Sequence, residues 1–156
     1  MHNYIIEEQM LSTFDYVIFL GLQNHNFCTQ RVSQMATPFF AVISYPDPHG
    51  PNTVREPYDT RFQNLPFEKP RTYGTGIPSP KWLAGGTKHP PFRGEQMAKY
   101  FGMVQCIDDN IGEILTALEK SHQLDNTLIV FTSDHGDLCY EHDRLNKGNP
   151  YEGSAR

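Results

Sequence analysis

The sequence is short of several things that would settle its class at once. It carries no basic surplus: Lys and Arg number 13 against 18 Asp and Glu, a formal net charge of -5. Proteins that track a phosphate backbone draw affinity from a basic face, so no nucleic-acid partner is expected. Long hydrophobic runs are missing as well. The longest, "YVIFLGL" at Tyr16–Leu22, falls well short of the ~20 apolar residues that cross a bilayer, and no transmembrane segment is expected. Acidic Glu7, Glu8 and Asp15 precede it rather than a basic stretch, so it lacks the make-up of a signal peptide. Cysteine is scarce: Cys28, Cys106 and Cys139 show no C-x-x-C spacing, and their odd number leaves at least one outside any pair within the chain. The cellular compartment stays undecided. No internal repeat is visible.

What is present describes a globular chain with much loop. Its 156 residues have the length of one ordinary domain, and a compact chain of that size buries ~70% of its unfolded surface. Hydrophobic residues at 38% and charged residues at 20% permit a core, while twelve prolines and twelve glycines interrupt regular structure.

Residues 1–37 resist assignment: "NYIIEEQMLSTF" has helical spacing, "DYVIFLGL" suits strand or helix, and "QNHNFCTQRVSQMAT" is polar and mixed. From Pro38 the pattern sharpens. "PFFAVISY" is a near-continuous apolar run of aromatic and β-branched type, which predicts a strand covered on both faces. It stops at "PDPHGPN", whose three prolines forbid further ladder pairing. Residues 51–93 are rich in proline and glycine and have no sustained period, as expected of a long surface excursion forming a cleft wall or a cover.

Between Glu95 and Leu118, apolar Met97, Tyr100, Phe101, Val104, Ile107, Ile111, Leu115 and Leu118 recur every three or four residues, which predicts an amphipathic helix. Lys120 and His122 suit its C-terminus, and "LDN" makes the turn. "TLIVFTSD" then predicts a second buried strand. Strand, helix, strand is the crossover unit of a parallel sheet. Such a unit would bring "PDPHGPN" and "SDHGD" to one carboxyl edge, where open α/β sheets bind ligands, and make His49 and Asp134 neighbours.

"FTSDHGDLCYEHDRLNKG" concentrates the chemistry. Asp134 and His135 can turn carboxylate and imidazole toward one centre if Gly136 bends the backbone; "DHGD" also suits an ordinary turn. Carboxylate oxygens favour a hard cation such as calcium or magnesium. Lys147 in "NKGNPYEG" is either a solvated charge or a grip on an anion, and His49 either an exposed loop histidine or a general acid and anion contact. Asp108 and Asp109, about 100° apart on the helix, read as structural. Glu141, His142, Asp143 and Arg144 read as capping and solvating the loop, with His142 or Arg144 able to reach a substrate; Cys139 reads as a packed thiol.

"PFFAVISYPDPHGPN", "YFGMVQCIDDNIGEILTALEKSHQLDNTLIVFTSDHGD" and "EHDRLNKGNPYEGSAR" together resemble the sulfatase family of the alkaline-phosphatase superfamily, in register over Pro38 to Arg156. The resemblance implies an α/β fold, part of a large mixed, mainly parallel sheet flanked by helices. It also implies hydrolysis of a sulfate ester, of a carbohydrate or aryl alcohol, at a site with one divalent cation, usually calcium with magnesium as the other choice. Asp134 and His135 fall on the family's metal ligands, Lys147 on its sulfate-contacting lysine, and His49 on the histidine that meets sulfate or the leaving oxygen.

The sequence also departs from the family. Its nucleophile is a formylglycine made from the Cys or Ser of a C/S-x-P-x-R motif, and none occurs here: "FCTQR" at Cys28 and "PSPKW" at Ser79 both fail. The "G-K-W-H" stretch is missing too, Lys81-Trp82 lying after His49, and two further metal-binding carboxylates lack counterparts. The expectation is therefore a partial catalytic domain over 38–156, preceded by an unassigned 1–37, truncated at both ends and inactive alone. A two-zinc phosphodiesterase of the same superfamily and a non-catalytic module that binds sulfated ligands stay open beside it.

Overall fold

The computed structural model describes residues 10–11, 14–20, 38–76 and 89–155. Among these residues three strands form one sheet in the order β1 (Met10–Leu11), β2 (Phe14–Leu20), β3 (Phe39–Ser44). β1 runs antiparallel to β2, and β2 parallel to β3 with Asp15 opposite Phe39 through Leu20 opposite Ser44. Asp15–Leu20 of "DYVIFLGL" thus resolve as strand. Met10–Leu11 is also extended where the spacing suggested helix; the rest of 1–37 outside these strands lies beyond the described residues.

β3 forms where the apolar run predicts it, but is not covered on both faces. Burial alternates along it, and Phe40 and Val42 are 53% and 41% exposed. Among the described residues it is the terminal strand of the order.

The predicted helix is present as α1 (Gly94–Lys120), two residues longer at its end than the periodicity required, with Glu95 in the first turn and Lys120 in the last matching the helix dipole. Its buried stripe is not the large-residue stripe. Ala98, Gly102, Cys106 and Asn110 recur every four residues and are buried, with Met103, Ala117 and Leu118, while Phe101 and Val104 are 43% and 40% exposed. Small residues let a neighbouring backbone approach closely, and Gly102 lies against the main chain of Tyr58.

After a short 3-10 turn at Leu124–Asn126, the predicted second strand does not pair. Leu128, Ile129, Val130 and Phe131 are 91%, 47%, 77% and 78% exposed, and no strand is assigned from Thr127 to Asp134. β-branched composition favours extended backbone, but a strand needs a partner ladder, and none forms among the described residues. The strand–helix–strand crossover is therefore not completed here.

The chain divides into two compact units: Met1–Phe62 with Lys99–Leu128, and Gln63–Ala98 with Ile129–Arg156. The first contains β3, the His49 loop and most of α1. The second is built on Tyr73, Phe92 and Tyr140, whose rings meet edge to face with centroids 5.0–6.3 Å apart. Tyr140 and Leu138 are almost completely buried, and the Tyr140 hydroxyl donates to Gln96 Oε1 at 2.8 Å. The short helix α2 (Glu152–Ala155) closes this unit, with Gly136 N donating to Ser154 O at 3.2 Å. Part of the excursion, Phe67–Gly76 and His89–Arg93, is thereby ordered packing material. Among the described residues no helix is long and apolar enough to cross a membrane.

Candidate functional site

His49 sits on a turn that "PDPHGPN" forms directly after β3, where His49 N donates to Pro46 O at 3.1 Å. The imidazole is exposed, and its Nδ1 lies 2.8 Å from Gly50 O. With that nitrogen held by a carbonyl, Nε2 is the atom a ligand would meet. Two residues earlier, burial pushes the Asp47 carboxyl above its usual range.

Asp134 and His135 end the unpaired extended segment. Asp134 Oδ1 accepts from His135 N at 2.9 Å, its Oδ2 is 3.3 Å from His135 Nε2, and His135 Nδ1 is 2.9 Å from Gly136 O. The backbone bends at Asp134, two residues before Gly136, and left-handed positions follow at Cys139, Tyr140, His142, Asp143 and Asn146.

The family's divalent cation can be tested against this pair. A carboxylate oxygen and an imidazole nitrogen 3.3 Å apart have the chemistry and spacing of adjacent ligands on one ion of the calcium class, once Nε2 gives up its contact with Asp134. They are two donors of the roughly six to eight that calcium takes, and no cluster of three or more His, Cys, Asp or Glu gathers among the described residues. The pair fits part of a shell.

Lys147 is exposed between Asn146, at φ 65°, and Gly148, at φ 90°. The loop presenting it is pinned from several sides. Leu138 N donates to Asn146 O at 3.0 Å; Asp137 Oδ1 accepts from Cys139 N at 2.9 Å and Asn146 N at 3.2 Å; Gly148 N donates to Ser154 Oγ at 3.1 Å. Such fixation holds a long cationic side chain at a defined root.

Three residues of this loop behave otherwise than the sequence suggested. Asp143 does not solvate it: the side chain is 8% exposed, Oδ1 accepts from Gly74 N at 2.7 Å, and Oδ2 lies 3.2 Å from His89 Nδ1. Arg144 is buried as well, while His142 lies flat on Tyr151, centroids 3.9 Å apart and planes at 12°. Sequence reading missed Asp137 and His89 as organisers and the burial of Asp143: the density of turn-forming Asp and Asn marked the loop but nothing marked His89, and the partners of Asp143 stand 69 and 54 positions away. Asp134, His135 and Lys147 belong to the second unit and His49 to the first.

Comparison with known proteins assigns the class. The family model described as "Sulfatase" matches residues 25–156. An arylsulfatase of Clostridium perfringens is 49% identical over 59 residues, covering 38% of this chain and 12% of the relative. Arylsulfatase K of Xenopus laevis is 30% identical over 163 residues, covering 89% of this chain and 30% of the relative. A crystal structure assigned as a sulfatase, YidJ of Bacteroides fragilis, aligns with a TM-score of 0.66 at 26% identity, covering 85% of this chain and 28% of the other.

The chain belongs to the sulfatase family, and its fold is the α/β class of that structural neighbour. It spans about 12–30% of the length of these curated relatives.

Proposed function

We propose that this chain supplies part of the catalytic domain of a sulfuric ester hydrolase, over residues 38–156, acting on a sulfated carbohydrate or aryl sulfate. The observation that supports this reading is the Lys147 loop: the segment whose sequence resembles the family's lysine motif is pinned by hydrogen bonds to Asp137 and Ser154. A sulfuryl group in transit spreads negative charge over its oxygens, and a fixed ammonium meets that charge without reorganising. Lys147 would contact the sulfate oxygens. His49, through Nε2, would contact the sulfate or the leaving oxygen, which gains negative charge as the ester bond breaks.

Asp134 and His135 would contribute ligands to a divalent cation, calcium by its preference for oxygen, with magnesium the other choice; when bound, the ion supplies positive charge to the sulfate. The nucleophile, a formylglycine in the family, has no motif in this sequence. Catalysis by this chain alone is therefore not part of the proposal, and sulfate recognition is.

Isothermal titration of the chain with a monosulfated sugar, with and without calcium, tests it. Binding that strengthens with calcium and falls about tenfold in Lys147→Ala supports the reading, as expected for losing a charge-assisted contact. Tighter binding of a phosphodiester with two zinc ions would replace it with the phosphodiesterase reading. Calcium-independent sulfate binding would point to a non-catalytic module.

A further inference from the structure

Ser154 touches both segments that the proposed site needs, although it lies in neither. It sits in α2, buried at 5% exposure, and its two oxygens accept from different parts of the chain. The main-chain carbonyl takes a hydrogen bond at 3.2 Å from the N–H of Gly136, the residue that follows the Asp134–His135 pair. The hydroxyl takes one at 3.1 Å from the N–H of Gly148, the residue that follows Lys147. All of these residues belong to one compact unit.

The seat of α2 is itself defined. Ser154 N and Ala155 N both donate to Tyr151 O, at 3.0 and 3.1 Å, and Tyr151 N donates to Asn149 Oδ1 at 3.2 Å. A methyl group added at Gly153 would come within 3.5 Å of Leu138 Cδ2 and 3.6 Å of Asp137 O, so the helix lies directly on the chain that leaves His135. The two ties of Ser154 differ in kind. The one to Gly136 is main chain to main chain and survives a change of side chain, whereas the one to Gly148 depends on the hydroxyl alone. Gly148 holds φ 90°, and glycine is the residue least able to keep a set conformation without such a partner.

We propose that Ser154 is a positioning residue for this site: its hydroxyl fixes the root of Lys147 against the segment that carries Asp134 and His135, so that cation binding and anion binding strengthen each other. It touches neither ligand. The inference deepens the proposed function and rests on it for the roles of Lys147, Asp134 and His135. The physical basis is preorganisation. A loop already held in place meets an anion without first losing backbone freedom, and a loop that must be ordered on binding gives up part of the contact energy. Because coupling between two binding events is reciprocal, it can be read from either ligand.

The test is a thermodynamic cycle by isothermal titration of the chain with calcium alone, with a monosulfated monosaccharide alone, and with the sugar in saturating calcium. In wild-type protein calcium should tighten sugar binding. Ser154→Ala should weaken sugar binding in calcium about fivefold, as for loss of one hydrogen bond, and shrink the enhancement by calcium while leaving the affinity for calcium alone unchanged. Ser154→Thr, which keeps the hydroxyl, should restore the coupling. If Ser154→Ala does not fold, Ser154→Cys carries the test, being close in size with a sulfur that accepts only weakly. A merely structural role would lower calcium and sugar affinity together and leave the enhancement by calcium intact, and that result overturns the positioning. Wild-type coupling in the variant overturns it too. In both cases loss of sugar binding in Lys147→Ala still upholds the sulfatase reading. Sugar affinity unmoved by Lys147→Ala overturns the role of Lys147 and the positioning with it. Wild-type protein that binds no sugar, or binds it without regard to calcium, overturns both.

Discussion

Tyr58 donates its phenolic hydrogen to Asp109 Oδ2 at 2.7 Å, joining the loop after β3 to the middle of α1 across 51 positions of sequence. The other carboxylate oxygen accepts from Gln105 at 2.8 Å, and the Arg55 guanidinium lies 5.7 Å from the centroid of the Tyr58 ring. Asp109, half of an adjacent pair that invites a catalytic reading, is thus a structural anchor. Tyr58→Phe keeps the buried ring and removes one bond to a charged acceptor. It should cost about 1 kcal/mol in denaturant unfolding, and the same substitution on an Asp109→Asn background should cost less.

The pair also fixes a pH response. The bond from Tyr58, then that from Gln105 and the charge of Arg61, hold the Asp109 carboxyl below its ordinary 3.8. Its stabilising effect is present above 3.8 and is lost as pH falls through the lower folded value. Asp109, followed by burial, raises the Tyr58 phenol above 10.0, so that contribution is present below 10.0 and is lost as pH rises through the higher folded value. Melting temperature should sag at both extremes. Tyr58→Phe should flatten the alkaline fall, and an unaltered alkaline limb would contradict the assignment.

Gly102 is required by space. A methyl group there would run into the carbonyl of Tyr58 and come within 3.1 Å of that carbonyl carbon and 3.3 Å of Val54 Cγ1. The first two obstacles are main chain and cannot rotate aside. Gly102→Ala should destabilise the chain by about 3 kcal/mol even though alanine is the better helix former. Gly112→Ala, with open space around it, serves as the control and should be neutral or stabilising.

The exposed run Leu128–Phe131 should govern self-association. Its side chains are apolar, its backbone joins no strand among the described residues, and such a segment is a template for pairing with another chain. Replacing Val130 and Phe131 by lysine should slow light-scattering growth on warming severalfold, with little change in the melting temperature. If aggregation is as fast in the double variant, the association surface lies elsewhere.

Much of the local structure was legible in the sequence. β3 and α1 follow from apolar runs and periodicity, and the turn after β3 follows from prolines that cannot donate to a ladder. The candidate residues His49, Asp134, His135 and Lys147 were legible as chemistry after a strand or between glycines and turns. Which face of α1 is buried was not legible, because small residues at Ala98, Gly102, Cys106 and Asn110 carry little hydrophobic signal. They are selected by the close approach of another segment, a property of the partner rather than of the helix.

The same division runs through the site. Sequence by itself determined the turn-forming loop, the lysine at its tip and the membership of a family, since these depend on local backbone preference and on the order of residue types. Only tertiary structure decided that Asp143 is buried rather than solvated, that it lies against His89, and that Leu128–Phe131 pairs with no strand among the described residues. A carboxylate has the same composition whether it faces water or a distant backbone N–H. An apolar strand becomes part of a sheet only when another strand offers its hydrogen bonds.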